Sequence, residues 1–553
     1  MRRDKSWVWT WVLLLATLAM GFFVGKCTRG WGKTRGGGGR GMDKLEATLQ
    51  LIDHNYVDSI DADQLLLDLI PTLMEQLDPH SSYLTAEERQ KEKESMEGFF
   101  FGVGITFNTI KDTAVVVSVI PNGPSDLVGV RAGDRILSVD QQDIATANLP
   151  ADSIRSLLRG PKGSVVKVTV KAFDSNDVRQ ISIRRGVVTM PQMDAAVMLS
   201  DSIGYIRFSS FTRSTYNEFM QSVAKLKQAG MEALILDLRD NAGGLLQPAL
   251  MIANEFLPAQ NLILYTEGAH AARQDVFSDG TGSLQHLPIY LLINGATASS
   301  AEIVTGAMQD NDRGIVLGQR SFGKGLVQQL FEYSDGSSLH LTIARYYTAS
   351  GRCLQRPYDL GKGAEYYTNN LFERYSRGEL FHADSIKIDP ELLYKTMAGR
   401  SVYGGGGITP DIFIPQDTTG YTSYYGEVVQ RGVLQRFAFE YADQHRILLE
   451  RLEGAEPCYR FLSNQGLPWL LAEYARKRGI APRHYLIQVS SELLNRAIIP
   501  QIVEYIYGAE EAWRVRTYTD PMVLRASQMI GEGILSPLNI PEEKCMIKEK
   551  MIE

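Results

Sequence analysis

The pattern of apolar and polar positions changes character along the chain, and each change marks a different element. Residues 6–25 carry no charge, close to the ~20 residues needed to cross a bilayer core. Arg2, Arg3 and Lys5 precede this run, and Trp7, Trp9 and Trp11 lie at its start, the flank expected of an export signal entering from the cytoplasmic side. It ends in Phe22-Phe23-Val24-Gly25-Lys26 rather than in the small residues of a cleavage site, which favours a retained anchor over a cleaved signal. Cys27 follows Lys26 and does not read as a lipidated cysteine. With residues 30–41, glycine-rich and basic, read as a tether, residues 1–41 form an anchor and linker. The remainder is then expected outside the cytoplasm, on the periplasmic side of the inner membrane.

Residues 42–97 space their apolar positions as a helix does, at Leu65, Leu66, Leu69, Ile70, Leu73 and Leu77. Asp78-Pro79-His80 interrupts the pattern, and a charged helical stretch resumes at 87–94. Over 98–186 the period shortens to that of strands, at 115–120, 135–139, 165–170 and 181–183, with one helix at 153–158. From 187 to 420 strands and helices alternate: strand 233–238, helix 248–256, strand 288–293, helix 300–308 and strand 315–317, the sign of a layered α/β domain. Residues 421–553 return to amphipathic helical spacing, at 428–452 and 491–507. The expected fold is therefore multidomain α+β: membrane helix, helical segment, β-rich module, layered α/β core and helical C-terminal region.

Composition narrows the function. At 553 residues the chain exceeds the roughly 250–300 residues over which one core keeps growing, in keeping with several units. A net charge of −7, with no long basic tract after Arg40, leaves no footprint for nucleic acid. The four cysteines (Cys27, Cys353, Cys458, Cys545) show no CxxC spacing, so no metal site and no cofactor are implied, and their spacing does not decide a disulfide.

Two sets of motifs carry chemistry. Phe101-Gly102-Val103-Gly104-Ile105 opens the β-rich module, and GVRAGDRILSVD follows at 129–140. Alone, the glycines read more readily as an ordinary hairpin turn; with the second motif the module resembles a PDZ domain. That resemblance implies backbone N–H groups at residues 101–105 that receive a peptide's carboxylate while the ligand adds as a strand. Gly102 and Gly104 would leave room for that approach.

In the α/β region, DLRDNAGG (237–244), NGATASSAE (294–302) and SFGKGLVQ (321–328) each fall where a strand gives way to a turn. In this order they resemble the carboxyl-terminal processing, or tail-specific, serine proteases, as do LDPHSSY (77–83) and GGGGITPDIFIP (404–415). The resemblance implies a crotonase-like core and assigns Ser299 as nucleophile, because the family's serine precedes its lysine by 25 positions, as Ser299 precedes Lys324. Gln328 matches the residue that orients the amine, Gly244 and Ser300 the oxyanion donors, and Ala242 replaces a frequent third glycine. Exported polypeptides, captured by the PDZ domain, are the implied substrates, and self-association through terminal helices the implied assembly. Independently of the family, a serine hydroxyl needs a neighbouring base. In a chain without a histidine hydrolase motif a lysine kept neutral by burial can serve, with Phe322, Leu326 and Val327 beside it.

Bland readings compete: a lone serine at a helix start is usually a cap, and a lone lysine between glycines a solvated turn. Residues 318–324 also fit GxxxxGK, the opening of a nucleotide-binding P-loop. Against it, Gly325 stands where the magnesium-binding Ser or Thr belongs, and 326–333 and 338–347 alternate like the strands of a hairpin where a helix should follow. A catalytically silent PDZ adaptor is the other alternative.

Overall fold

A computed structural model describes residues 40–110, 113–145, 149–173 and 177–541. The apolar run 6–25, the glycine run of the tether, Cys27 and Cys545 lie outside those residues. Among the described residues no helix is long and apolar enough to cross a membrane.

The chain divides into two compact units, 1–73 and 74–553. The first holds the helix Arg40–Asn55 and most of Ala62–Glu75, which tolerates Pro71 inside it. In the second unit the interruption at 78–80 has a structural reason. Ser82–Leu84 is a strand, paired antiparallel with Ser338–Thr348 of the α/β domain, so this stretch is woven into a sheet rather than into a helical segment. Helix Ala86–Glu97 then starts on a Thr85/Glu88 capping box and stops at Gly98, whose φ of 74° is left-handed.

The β-rich module is a sheet of Ile105–Ile110, Thr113–Val119, Arg135–Val139, Val165–Lys171 and Val178–Arg184 in that spatial order, closed by helix Ala151–Leu158. Alternate residues Val166, Val168 and Val170 point into one core with Ile136, Val139 and Ile154. Ile105–Ile110 is an edge strand among the described residues.

The α/β domain is built on six strands, β1 (Met193–Met198), β2 (Ile203–Phe208), β3 (Ala233–Asp237), β4 (Ile289–Ile293), β5 (Ile315–Gly318) and β6 (Ile412–Phe413), which lie side by side in chain order. The β1–β2 pair is antiparallel and the rest parallel. Parallel sheets need both faces covered, and every residue of β2–β5 is buried. One face packs on α1 (Thr215–Gln228), α2 (Leu246–Phe256) and α3 (Ser300–Asp310) through Phe219, Phe256, Val304 and Met308. Helix Pro521–Gly531 covers the other with Met522, Val523, Ala526 and Met529. The C-terminal region thus completes the α/β layer as well as forming its own helical core around Leu434, Phe437, Leu471, Ile498 and Ile502. The amphipathic stretch 428–452 is two helices, not one: Ser423–Gln430 and Val433–Glu450 are separated at Gly432, whose φ is 63°.

Candidate active site

Three loops leave the C-terminal ends of β3, β4 and β5, adjacent parallel strands, which is where open α/β sheets collect ligands. They hold the three motifs, and hydrogen bonds zip them together. Asp240 N–H donates to Asn294 Oδ1 at 3.0 Å, and Asn294 Nδ2 returns a bond to Asp240 Oδ1 at 2.8 Å. Thr297 Oγ1 donates to Leu238 O at 2.8 Å, Ala298 N–H to Asn241 O at 2.9 Å, and Ser300 Oγ to Gly244 O at 2.9 Å. The hydroxyls of Thr297 and Ser300 are therefore occupied in holding loops.

Ser299 differs from both. It starts α3 with φ 54° and ψ −119°, a conformation a side chain adopts at a cost of about 1–3 kcal/mol and that persists only where the surroundings impose it. Glu302, fully buried, supplies part of that imposition. Its Oε2 accepts from Ser299 N–H at 3.0 Å and from Lys324 N–H at 2.9 Å, while Oε1 accepts from Ser321 Oγ at 2.5 Å and Gly323 N–H at 2.8 Å. One carboxylate oxygen thus joins the backbones of Ser299 and Lys324. The buried Tyr346 hydroxyl reinforces the junction, donating to Lys324 O at 2.5 Å with Ser299 O at 3.4 Å.

Lys324 is half-buried between Gly323 and Gly325, with Leu326 buried next to it. Burial depresses its amine below the ordinary 10.5, with Asp78 and Glu302 opposing the shift. The segment 77–83 comes near this amine: the Asp78 carboxylate favours its charged form, and His80 is held neutral down to about 4 by burial and then by the Lys324 charge. Gln328 fits only in part, since its Nε2 donates to His80 O. No hydrogen bond joins Gln328 to the Lys324 amine, or that amine to the Ser299 hydroxyl, among the described residues. Sequence reasoning assigned no role to Glu302, Tyr346, Asp78 or His80. A glutamate three residues after a serine carries the signal of a capping box, and that was the one clue to Glu302.

The proposed oxyanion donors lie together. Phe211 and Gly244 form a one-residue parallel bridge whose bonds run from Phe211 N–H to Gly243 O and from Leu245 N–H to Phe211 O, so the Gly244 N–H faces away from it. Gly243, at φ 97°, packs so tightly that a Cβ there would stand 2.7 Å from Ser299 Cβ and 2.9 Å from Ser300 N. Ala242 is exposed and absent from the left-handed residues, so the loop needs no third glycine. Gly243→Ala should therefore displace the Ser299 turn and slow any hydrolysis by about 100-fold or more, the loss expected when oxyanion donors are misplaced. Steady-state rates with a thermal melt would check it.

The P-loop alternative fails on geometry: residues 319–325 form no helix and lead into the hairpin Leu326–Glu332/Ser338–Thr348. In the β-rich module, Val103 is buried and Gly104 has φ 77°. A Cβ at Gly102 would stand 2.9 Å from the Phe100 ring, so the protein's own packing favours glycine there. Cys353 and Cys458 are free thiols.

The profile of peptidase family S41 matches residues 202–360, a PDZ domain profile matches 115–171, and a family of unknown function matches 424–508. The carboxyl-terminal-processing protease of Picosynechococcus sp. is 36% identical over 278 residues, 49% of this chain and 66% of that protein. The carboxy-terminal-processing protease of Bartonella bacilliformis is 34% identical over 307 residues, 54% of this chain and 69% of that protein. The chain thus spans about two thirds of the length of these relatives. Among solved structures, a photosystem II D1 C-terminal processing protease is similar at 26% identity, covering 56% of this chain and 89% of that one with a TM-score of 0.31.

Proposed function

The chain belongs to peptidase family S41, the carboxyl-terminal processing proteases, and from that premise we propose that it is a serine endopeptidase cutting loosely folded exported polypeptides with a Ser299–Lys324 pair. The observation that carries this reading is the single Glu302 oxygen bridging the strained turn of Ser299 to the loop of a lysine whose charge burial disfavours. Ser299 Oγ attacks the scissile carbonyl while the neutral Lys324 amine takes its proton. The N–H groups of Gly244 and Ser300 receive the developing oxyanion, with the N-terminus of α3 adding its dipole. The Lys324 ammonium then protonates the leaving amine, and an acyl-enzyme remains. Water, giving its proton to the same amine, releases the second product. Gln328, tied to His80 O, positions the 77–83 segment beside the amine in this reading. A silent adaptor is not favoured, because both reacting side chains are present in a member of a peptidase family.

The PDZ module, with its edge strand Ile105–Ile110 and loop at 101–105, would hold the substrate's tail and raise its concentration at Ser299. The same reading places residues 6–25 in the inner membrane as an anchor, the catalytic part on its periplasmic side, and copies self-associated through terminal helices. Incubating the full chain with an unfolded exported protein and identifying new termini by mass spectrometry tests the activity: internal cuts that disappear in Ser299→Ala support it, and cuts that persist sink it. Deleting residues 98–186 should slow long substrates by about tenfold or more while short peptides are cut at similar rates, as removing a tethered capture site requires. Equal losses on both would refute the capture role.

A further inference from the structure

A cavity of about 560 Å³ opens beside the Lys324 loop, lined by Arg320, Arg356, Tyr366, Arg374 and Lys387. Its wall also carries Lys362 and Arg377, and against these cations stand Asp359, Glu373 and Asp389, so positive charge is in excess. Arg320 and Arg374 share Glu379: Arg320 reaches it through Nε and Nη2 at 2.8 and 2.7 Å, and Arg374 Nε stands 3.6 Å away. The side chains of Arg374 and Glu379 are each only 3% exposed. Burial, and after it the charge of Arg320, bring Arg374 down to about 9. Arg356 has no carboxylate partner among the described residues. It donates Nη2 to Tyr366 O at 2.8 Å and lies over the rings of Tyr366 and Phe322 at 3.8 and 4.8 Å, while its Nη1 is buried without a hydrogen bond.

One residue of the cavity wall, Tyr366, touches the neighbours of the catalytic pair. Phe322 lies two residues before Lys324, and the Tyr366 ring packs edge-on against Phe322 at 5.9 Å and against His80 at 5.4 Å. An anion in the cavity would therefore arrive with the polypeptide rather than at a distance from it. Cations held away from water without counter-charge are costly, and a carboxylate matches the two-pronged geometry of guanidinium.

We propose that this cavity binds a carboxylate carried by the substrate close to the bond being cut, either an acidic side chain or the free C-terminus. The proposal rests on the protease reading and deepens it to a substrate class. The test uses short peptides spanning a mapped cut, acetylated and amidated so that the PDZ module has no terminus to hold. One version carries glutamate beside the cut, one glutamine, and a third is the glutamine peptide with a free C-terminal acid.

Wild-type enzyme should cleave a carboxylate-bearing version about tenfold better or more in kcat/KM, through KM and diminishing with salt, as charge-assisted bonds predict. A gain by the glutamate peptide assigns a side chain, whereas a gain by the free acid assigns the terminus only where Arg356→Gln abolishes it, because the PDZ module also receives a terminal carboxylate. In Arg356→Gln that ratio should fall to within about twofold, and because it is internal to each protein, a general loss of activity cancels. Should Arg356→Gln fail to fold, the exposed Lys387→Gln should lower the ratio by about two- to threefold, as loss of a rim charge does. Ser299→Ala protein should bind the preferred peptide more tightly than the glutamine peptide by the same factor. Such binding without any hydrolysis by wild type would defeat the protease reading and leave the anion site standing. Equal treatment of all three peptides by wild type, or a ratio unchanged in Arg356→Gln, would overturn the site.

Discussion

Replacing Ser299 with alanine is expected to lower kcat by about 10⁴- to 10⁶-fold, the range seen when a catalytic serine is removed and only binding and oxyanion donors remain. The fold should survive, because the bonds that shape this turn use the Ser299 backbone: its N–H goes to Glu302, and its carbonyl faces the Tyr346 hydroxyl. The companion substitution Ser299→Gly should be equally inactive yet unfold at a higher temperature. Glycine accepts φ 54° freely, so the strain of about 1–3 kcal/mol stored by a side chain there is released. A serine serving only as a helix cap would behave differently, since its replacement by glycine would leave hydrolysis untouched.

Lys324→Met should be the second large effect, and it separates function from stability. Activity should fall by orders of magnitude comparable to Ser299→Ala, because residues that act as a unit are lost together. Stability at neutral pH should rise. The amine titrates lower in the folded protein than the ordinary 10.5 it keeps in the unfolded chain, so between those values the unfolded chain holds more protons. Folding is penalised below that window and recovers as pH climbs towards 10.5. Methionine, similar in shape and uncharged, removes the penalty, so its melting advantage should be clear at pH 7 and shrink as the solution becomes alkaline. Asp78 and Glu302 offset part of the penalty in the native protein, which limits the size of the gain.

Much of this site could be read from the chain because its parts are local. The strands β3, β4 and β5 are short, almost wholly apolar runs that stop where the three motifs begin, and that pattern is enough to put the motifs at strand ends. The strands at 135–139 and 165–170 and the hairpin after Lys324 were legible from alternation in the same way. What was not legible depends on distant pairing. Glu302 looks like a capping residue until the 321–324 loop is folded onto it. The 77–83 segment looks like a break between helices until Ser82–Leu84 joins a strand more than two hundred residues later. Helix Pro521–Gly531 has an ordinary amphipathic pattern, and nothing in it announces that its apolar face closes the outer side of the catalytic sheet.

That closure also links the C-terminal region to the 238–244 loop. Asp237, the last residue of β3, is fully buried; burial alone would raise its carboxyl, but Arg239 and Arg207 and the Tyr205 hydroxyl hold it down to about 2. Arg239 in turn pairs with Asp520 at 2.8 Å, at the cap of Pro521–Gly531. The loop that supplies Gly243 and Gly244 is thus anchored from beneath by the C-terminal region.

Hydrolysis here turns on the neutral amine of Lys324 activating the hydroxyl of Ser299. The most direct measurement of that activation is the rate at which a sulfonyl fluoride labels the protein as a function of pH, with the modified residue located by mass spectrometry. Label is expected on Ser299, at a rate that rises with pH through one ionisation below the ordinary lysine value of 10.5, and is expected to be lost in Lys324→Ala. Label on another residue, or on Ser299 at a rate indifferent to pH and to Lys324, would contradict that activation.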